Sequence, residues 1–573
     1  MSADHAYRVS RALAAGLRAS GVEIVAVCAG SRSTALALAV HDEPDLRVFT
    51  FIDERSAAFF ALGAARATGV PAAVVTTSGT AVANLVPAAA EARAAGVPLL
   101  LLTADRPPEL HDVGAAQTIE QAGLVAPALW FADVHTYDEA APASAAHIGA
   151  QACASAVGPP AGPVHLNLRY REPLTPSSAV RAEDPAEPRV PVRTRPRVEP
   201  DPEQAVRVAQ LLRDHPRGVI HVGHLEPPIE GVAGAVTWLS EVTGYPVMAE
   251  ATSRLRGRLD GAHVVDAAEA LVRAPAFADA HRPDVVGRIG ATPLTRAQFE
   301  WLDTAGATQV VISPDVRWPD RERLADEVLA ADASRGCVAL ANALAQDGAE
   351  PDGSWAHAWR DASGKARAAI DRYLDAGPFF EGTIARAVAE AIPAGGTLVT
   401  ATSLPIRAVD AFVPAEHPLV ALASRGASGI DGTISAALGT AVATEAPTIC
   451  LTGDLAFLHD VGAFGAATRH RIPLVTVVID NGGGRIFEFL PQGDGVERET
   501  FDDLFAVSHR FDLMHAAELF GLQFASVRDE ATLVKTLDWA LIHGEPWIIR
   551  AAVNPRASVE AHAAAWAAAA EAL

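Results

Sequence analysis

The stretches TICLTGD (residues 448–454) and LVTVVIDNGGG (474–484) decide the fold. Each begins as a short apolar run, 448–451 and 474–479, and each gives way to glycine and an oxygen ligand: Gly453-Asp454 after the first, and Asn481 after the second, 27 positions beyond Asp454. Two strand ends thus present hard oxygen ligands side by side. The same alternation of short apolar runs with Ala-rich helical segments spreads outward from this pair, and it means βαβ units on a parallel sheet. In the same unit further strands are expected at 397–400 and 419–422; in the first 175 residues at 24–27, 48–52, 72–75 and 98–102; in the middle of the chain at 218–222, 284–289 and 309–312, with a helix at 202–213. A Pro-rich, charged stretch ending at 203 reads as an extended linker, and 346–354 as a second polar break. The expected organisation is three consecutive α/β domains with parallel sheets, at 1–180, 204–350 and 351–573, joined first by a linker over 181–203. An Ala-rich helix is expected at 559–573.

Composition narrows the function. At 573 residues the chain can bury several cores, and half its residues are hydrophobic while only 6% are aromatic. A net charge of -23 repels nucleic acid and anionic membranes at long range, so any anionic substrate needs local arginines. Cys28, Cys153, Cys337 and Cys450 are widely separated and form no CxxC pair, which suggests neither a disulfide framework nor a zinc site and fits a reducing cytoplasm. The N-terminus has no signal-like apolar core and no stretch offers 18 uninterrupted apolar residues, so a soluble cytoplasmic protein is expected.

Three signals carry chemistry. Asp454 offers a carboxylate and Asn481 an amide carbonyl, while glycines 482–484 admit a diphosphate close to the backbone; Mg²⁺ shared with phosphates suits such oxygen donors. At 53–55, Asp53-Glu54-Arg55 follows an expected strand and precedes a helical run, which reads either as a carboxylate placed where α/β sheets hold their sites or as a helix-start acid. Four loops at strand ends carry arginines: Arg32 in 28–34, Arg106 in 103–110 with Gln117, Arg407 in 403–407, and Arg425 in 424–432. The guanidinium fork matches carboxylates, and several forks in so acidic a chain imply a polyanionic substrate.

The Asp454/Asn481 pair resembles the GDG-x(24–27)-NN motif of thiamine diphosphate enzymes, with Leu455 where the third Gly often sits and Asp480 where the first Asn often sits. The stretches GSRST, DERSAAFFALG, TSGTAVANL, ADRPPEL, SRGASGIDG and GDLAFLHD resemble the 2-succinyl-5-enolpyruvyl-6-hydroxy-3-cyclohexene-1-carboxylate synthases of menaquinone biosynthesis, over both outer domains; in the middle domain 290–296 is a looser match. Ala29 stands where that family has proline, and 165–170 departs from its usual run.

The resemblance implies pyrimidine-binding, central and diphosphate-binding domains, and thiamine diphosphate with Mg²⁺ or Mn²⁺ held between subunits of a homodimer or homotetramer. It implies decarboxylation of 2-oxoglutarate and a Stetter-like addition of the succinyl semialdehyde carbanion to isochorismate. Position by position it implies metal ligation by Asp454, Asn481 and the Gly483 carbonyl, and cofactor contacts from Ser78, Gly79, Ser428, Gly429, Gly453, Leu455 and Gly484. Glu54 would hydrogen-bond the aminopyrimidine, its pKa raised by burial. Ser31, Arg32, Arg106, Gln117, Arg296, Ser403, Arg407 and Arg425 would take substrate carboxylates or hydroxyls. Ile430 would bend the cofactor, and Ile486 and Phe487 would wall the pocket. His111 and His459 lie in motif loops without an assignable role. An acetolactate synthase-like or simple 2-oxo acid decarboxylase would share Glu54, Asp454 and Asn481 without needing GSRST, ADRPPEL and SRGASGIDG together; a non-catalytic scaffold would have no need of Glu54 and Asp454.

Overall fold

The computed structural model describes residues 2–183, 188–191, 193–261, 263–315, 318–346 and 351–573. Among these the strands form three six-stranded sheets, and every pairing between them is parallel. The first sheet contains β1 (Ile24–Cys28), β2 (Arg47–Thr50), β3 (Ala72–Thr76), β4 (Leu99–Asp105), β5 (Trp130–His135) and β6 (Pro163–Arg169), in the order β2-β1-β3-β4-β6-β5. The second contains β7 (Gly218–Val222), β8 (Pro246–Ala249), β9 (His263–Val264), β10 (Val285–Ile289), β11 (Thr308–Ser313) and β12 (Ala325–Ala330), in the order β12-β11-β10-β7-β8-β9. The third contains β13 (Thr397–Thr400), β14 (Val420–Leu422), β15 (Thr448–Gly453), β16 (Val475–Asp480), β17 (Gln523–Val527) and β18 (Trp547–Ala552), in the order β14-β13-β15-β16-β18-β17. The outer sheets therefore share one topology, and the middle sheet has the doubly wound order that reverses between β7 and β10. This is the expected α/β class.

Every expected strand is present, those at 218–222 and 397–400 with the expected ends and the others with ends moved by one to three residues. The run at 98–102 continues to Asp105 and that at 448–451 to Gly453, whereas 48–52 stops at Thr50. The terminal helix runs Pro555–Glu571, starting earlier because Asn554 caps it through Arg556 and Ala557 N–H. Strands that periodicity did not reveal include β6, whose buried His165 and Asn167 interrupt the apolar run. Both are satisfied inside: Thr103 Oγ1 lies 2.8 Å from His165 Nε2, and Asn167 Nδ2 donates to Asp105 at 2.9 Å and Asp133 at 3.0 Å.

Of the expected linker at 181–203, residues 184–187 and 192 lie outside the described residues, as do 347–350 of the second break. The described part is tied to the middle unit: Val198 N donates to Asp332 Oδ2 and Asp332 N to Val198 O, both at 3.0 Å. No helix among the described residues is long and apolar enough to cross a membrane, and all four thiols are buried and free.

The third unit is the hub, because one apolar core joins it to the first sheet and another to the second. In the first of these cores the helix Glu54–Thr68 crosses the helix Thr433–Thr444 on two glycines. A Cβ on Gly63 would stand 2.1 Å from the Ala436 carbonyl oxygen, and one on Gly439 1.9 Å from that of Phe60, so only bare backbone fits at the crossing. Asp460 clamps it, accepting from Ser435 N at 2.7 Å, Ser435 Oγ at 2.9 Å and Ser56 Oγ at 3.2 Å.

A buried charge network joins all three units. It meets the loop after β7, on the side of a doubly wound sheet where ligands are held. Arg66 of the first unit donates to Glu226 at 2.7 Å, to Glu91 at 2.6 Å and to Ser424 Oγ at 3.2 Å, and Arg254 also reaches Glu226 at 3.1 Å.

Candidate active site

Both ends of the deciding motif meet at the carboxyl end of the third sheet. Neighbouring β15 and β16 deliver Asp454, on the first helical turn after Gly453, and Asp480 with Asn481. Gly482 and Gly483 have φ of 74° and 135°, and a Cβ on Gly483 would lie 2.3 Å from the Ala506 carbonyl oxygen. The loop can therefore turn only as glycine, and its N–H groups are tied inward, Gly482 to Asp480, Gly483 to Asp454 and Gly484 to Ala506 O. Asp454 Oδ1 accepts from Leu455 N at 2.7 Å and Oδ2 from Gly483 N at 2.8 Å.

Asp454, Asp480 and His509 each bring a ligand atom within 4.8 Å of the others, in a largely buried cluster. His509 Nε2 sits 3.3 Å from Asp454 Oδ2, is buried and makes no hydrogen bond. Burial pushes the Asp454 carboxyl up to about 6 despite the Gly483 N–H and His509 beside it. A carboxylate so desolvated, beside an orphaned ring nitrogen and hard oxygen donors, is a set that a divalent cation would satisfy. The Asn481 amide is fixed from behind: its Nδ2 donates to buried Glu381 at 3.0 Å.

The first sheet gathers a second group on its own rim. Glu54 is the first residue of its helix, not the end of a strand; Asp53 caps that helix through Arg55 N–H at 2.8 Å. Glu54 Oε2 accepts from Asn84 Nδ2 at 3.0 Å, and in a single chain the side chain is half-buried. Ser78 Oγ donates to Gln117 O at 3.0 Å, Gly79 N to Gln121 at 2.9 Å, and Arg106 Nη2 to Gln117 Oε1 at 3.4 Å. Arg32 is buried and anchored on Tyr170 O at 3.0 Å. Burial lowers the Arg106 pKa, and the nearby Arg32 charge lowers it further. Ser31 opens the turn Ser31–Ser33 with its side chain exposed.

The third sheet supplies the other arginines. Arg407 Nη1 donates to Ser403 O at 2.6 Å, and Arg425 Nη2 to Thr292 O at 3.3 Å. Burial, then the Arg425 charge, lowers the Arg407 pKa. Leu294, Ile406 and Ala423 form a small apolar cluster that seats the middle unit's 290–296 loop against both arginine loops. Arg296 itself faces solvent and pairs with Glu300 on its own helix, so the single chain does not bring it to the others. The loop before Ile430 is held by Glu91 of the first unit, which accepts from Gly426, Ala427 and Ser428 N–H at 2.6–3.2 Å. Thr402 Oγ1 donates to Gly429 O at 3.0 Å. A Cβ on Gly484 would lie 3.5 Å from both Leu455 and Phe487, which places those side chains around the glycine turn, and Ile486 next to Phe487 is half-buried.

Three site residues share a further trait: Gln117, Ser403 and Ser428 have φ of 53°, 74° and 59°, a region costly for residues with a side chain and concentrated at functional sites. His111 and His459 are absorbed by structure. His111 Nε2 meets Arg169 at 2.8 Å, and His459 pairs with Arg55 through its ring at 3.1 Å and its carbonyl at 2.8 Å. Asn84, Glu91, Glu381 and His509 escaped the sequence reading. Asn84 lies inside TSGTAVANL, but the other three reach the rims only through tertiary contacts.

Residues 7–124 match the thiamine pyrophosphate enzyme N-terminal TPP binding domain, and residues 406–551 the corresponding C-terminal TPP binding domain. These are the units that carry the two rims. The chain is 40% identical to a 2-succinyl-5-enolpyruvyl-6-hydroxy-3-cyclohexene-1-carboxylate synthase of Myxococcus xanthus, over 98% of this chain and 97% of the relative. It is 38% identical to the synthase of that name from Geobacillus kaustophilus, over 97% and 96%, and 41% identical to that of Chloroflexus aurantiacus, over 93% and 89%. With two cofactor-binding units in place and these relatives matched almost end to end, the chain belongs to the 2-succinyl-5-enolpyruvyl-6-hydroxy-3-cyclohexene-1-carboxylate synthase family of thiamine pyrophosphate enzymes.

Proposed function

We propose that this chain converts 2-oxoglutarate and isochorismate into 2-succinyl-5-enolpyruvyl-6-hydroxy-3-cyclohexene-1-carboxylate and CO₂, a step of menaquinone biosynthesis. The relatives' name describes a product with a succinyl group on an enolpyruvyl-bearing ring. A four-carbon succinyl unit is what a five-carbon 2-oxo diacid leaves on losing CO₂. The observation that carries the reading is the crowding of arginines on each rim, Arg32 beside Arg106 and Arg407 beside Arg425. Glu172 lies 3.4 Å from Arg32 and Glu250 3.9 Å from Arg425, and the guanidinium forks grouped beyond these pairs in a chain of net charge -23 suit a dicarboxylate, which both substrates are.

When bound, thiamine diphosphate supplies the electron sink that lets an acyl carbon act as a nucleophile. The protein's part is to bind, orient and exclude water. Glu54, steadied by Asn84, would hold and pass the proton of the aminopyrimidine nitrogen it bonds. Asp454, the Asn481 amide oxygen and the Gly483 carbonyl would hold Mg²⁺ or Mn²⁺. Ile430 would support the bent cofactor, and Ile486 and Phe487 would close the wall. Ser31, Gln117 and Ser403 would add donors to the arginines, and Arg296 would join them by leaving Glu300.

The active site is assigned to the junction of two copies, in a homodimer or homotetramer. Glu54 and Asp454 rise from different sheets, Glu54 is only half-buried, and Ile52 two residues before it is 94% exposed, an apolar surface suited to cover by a second chain. Units at 1–180, 204–350 and 351–573 with a linker at 181–203 fit the three sheets, and four unpaired buried thiols fit the cytoplasm.

The test follows isochorismate absorbance with purified protein, 2-oxoglutarate, Mg²⁺ and thiamine diphosphate, omitting each in turn. Consumption that needs all four supports the synthase. CO₂ release with isochorismate intact would reduce the protein to a simple decarboxylase, and no turnover of any oxo acid would remove the enzyme reading.

A further inference from the structure

The C-terminal helix Pro555–Glu571 has no part in the chemistry above, yet it reaches the metal candidates through one buried carboxylate. Glu381, at the start of the helix Glu381–Ala391, is wholly buried. One of its oxygens accepts from Asn481 Nδ2 at 3.0 Å; the other accepts a very short hydrogen bond from Ser558 Oγ and lies 3.6 Å from His562 Nε2. Ser558 and His562 are one turn apart on the C-terminal helix and both are buried. That helix is locked in turn. Ala561, Ala565 and Ala569 enter the core shared with the middle unit, and the His562 ring packs on Phe380, Phe412 and Phe489 at 5.1–5.3 Å.

An ionised carboxylate can only accept. The end of the Asn481 amide that faces Glu381 is therefore its NH₂, and its carbonyl oxygen is turned the other way, free for a cation. With Glu381 held by Ser558, the amide cannot invert without leaving a buried carboxylate oxygen unpaired. We propose that Glu381, braced by Ser558 of the C-terminal helix, is a positioning residue that presents the Asn481 amide oxygen to the divalent cation. The inference rests on the reading of Asn481 as a metal ligand. It makes the Ala-rich terminus a working part of the site.

Partners one shell out from a metal typically change its affinity by about 10-fold to 100-fold when lost. The probe is Mn²⁺, titrated by electron paramagnetic resonance into protein with saturating thiamine diphosphate, for the full chain, Glu381→Gln, Ser558→Ala and Asn481→Ala. In Glu381→Gln the side chain keeps its shape but can donate, so the Asn481 amide is no longer held one way round. Mn²⁺ affinity is expected to fall about 10-fold to 100-fold in Glu381→Gln and by less in Ser558→Ala. The Mg²⁺ concentration for half-maximal rate should rise in step, while kcat at saturating Mg²⁺ and the isochorismate KM stay near those of the unaltered chain. A purely structural role would instead lower the thermal midpoint and kcat together. If Asn481→Ala loses Mn²⁺ but Glu381→Gln and Ser558→Ala, both folded, bind it within twofold of the unaltered chain, the positioning role is wrong and the metal reading stands. If Asn481→Ala binds Mn²⁺ as well as the unaltered chain does, the metal reading itself falls, and the role of Glu381 with it.

Discussion

Replacing Gly439 with alanine tests whether the two glycine-bearing helices set the geometry of both rims. The added Cβ would sit 1.9 Å from the Phe60 carbonyl oxygen, and real Cβ atoms do not approach closer than 3.0 Å. The helices Glu54–Thr68 and Thr433–Thr444 must then separate by more than about 1 Å, since backbone on both sides leaves no rotamer to absorb the methyl. One helix begins at Glu54, and the other follows the loop of Ser428, Gly429 and Ile430. Overpacking of this kind costs about 1–3 kcal/mol, and a misplacement of about 1 Å costs up to about 100-fold in rate. The expected result is a thermal midpoint lower by several degrees and kcat lower by 10-fold or more. Gly364→Ala serves as control. That glycine is exposed on the helix Ser354–Ala376 with nothing within 4 Å, so alanine should stabilise by about 0.5–1 kcal/mol and leave kcat unchanged. A Gly439→Ala protein with the parent's midpoint and kcat would refute the claim that this crossing sets the site.

Glu54→Gln is expected to retain thiamine diphosphate in equilibrium binding while turnover drops about 100-fold or more, and near-normal turnover would remove Glu54 from the proton path. Arg32→Ala and Arg106→Ala should each raise half-saturating isochorismate about 10-fold to 100-fold, through lost hydrogen bonds to a charged group; unchanged saturation curves would contradict the assignment. Burial pushes the Asp460 carboxyl up to about 6, although Ser435 and Ser56 donate to it. The folded chain thus keeps a proton that the unfolded chain releases near pH 4. The stabilisation is full below that pH and is lost as pH rises through about 6. Asp460→Asn stays neutral throughout, so the unaltered chain should gain about 1 kcal/mol on this variant between pH 8 and pH 5 in denaturant midpoints, and a pH-independent difference would show the shift to be absent.

The parts of the fold legible in sequence are those where burial alone selects residues. β15 and β16 are buried almost throughout, and their apolar runs gave both existence and place. β6 was hidden because His165 and Asn167 are paid for by partners far along the chain, and β12 and β17 because edge strands keep polar, half-exposed residues. The site divides in the same way. Asp454, Asn481 and the arginine loops sit in short segments whose residue types declare their chemistry. Glu91 lies inside an ordinary helix and Glu381 opens another, and nothing local marks either one. Their roles arise when other units bring three backbone N–H groups to the first and an asparagine amide to the second.

Arg66 can be viewed as an internal ligand: a guanidinium, delivered by one unit into a receptor of two buried carboxylates, Glu91 and Glu226, contributed by its own unit and the middle one. Breaking such a buried pair from one side leaves charge uncompensated, at about 3–5 kcal/mol. A chain shortened to alanine at that position would hold a gap the size of a planar cation between Glu91, still held by three backbone N–H groups, and Glu226, still paired with Arg254 at 3.1 Å. Free guanidinium compounds could refill it, and the assembly of the three units would then follow the concentration of a small molecule, turning an architectural contact into a chemically addressable switch.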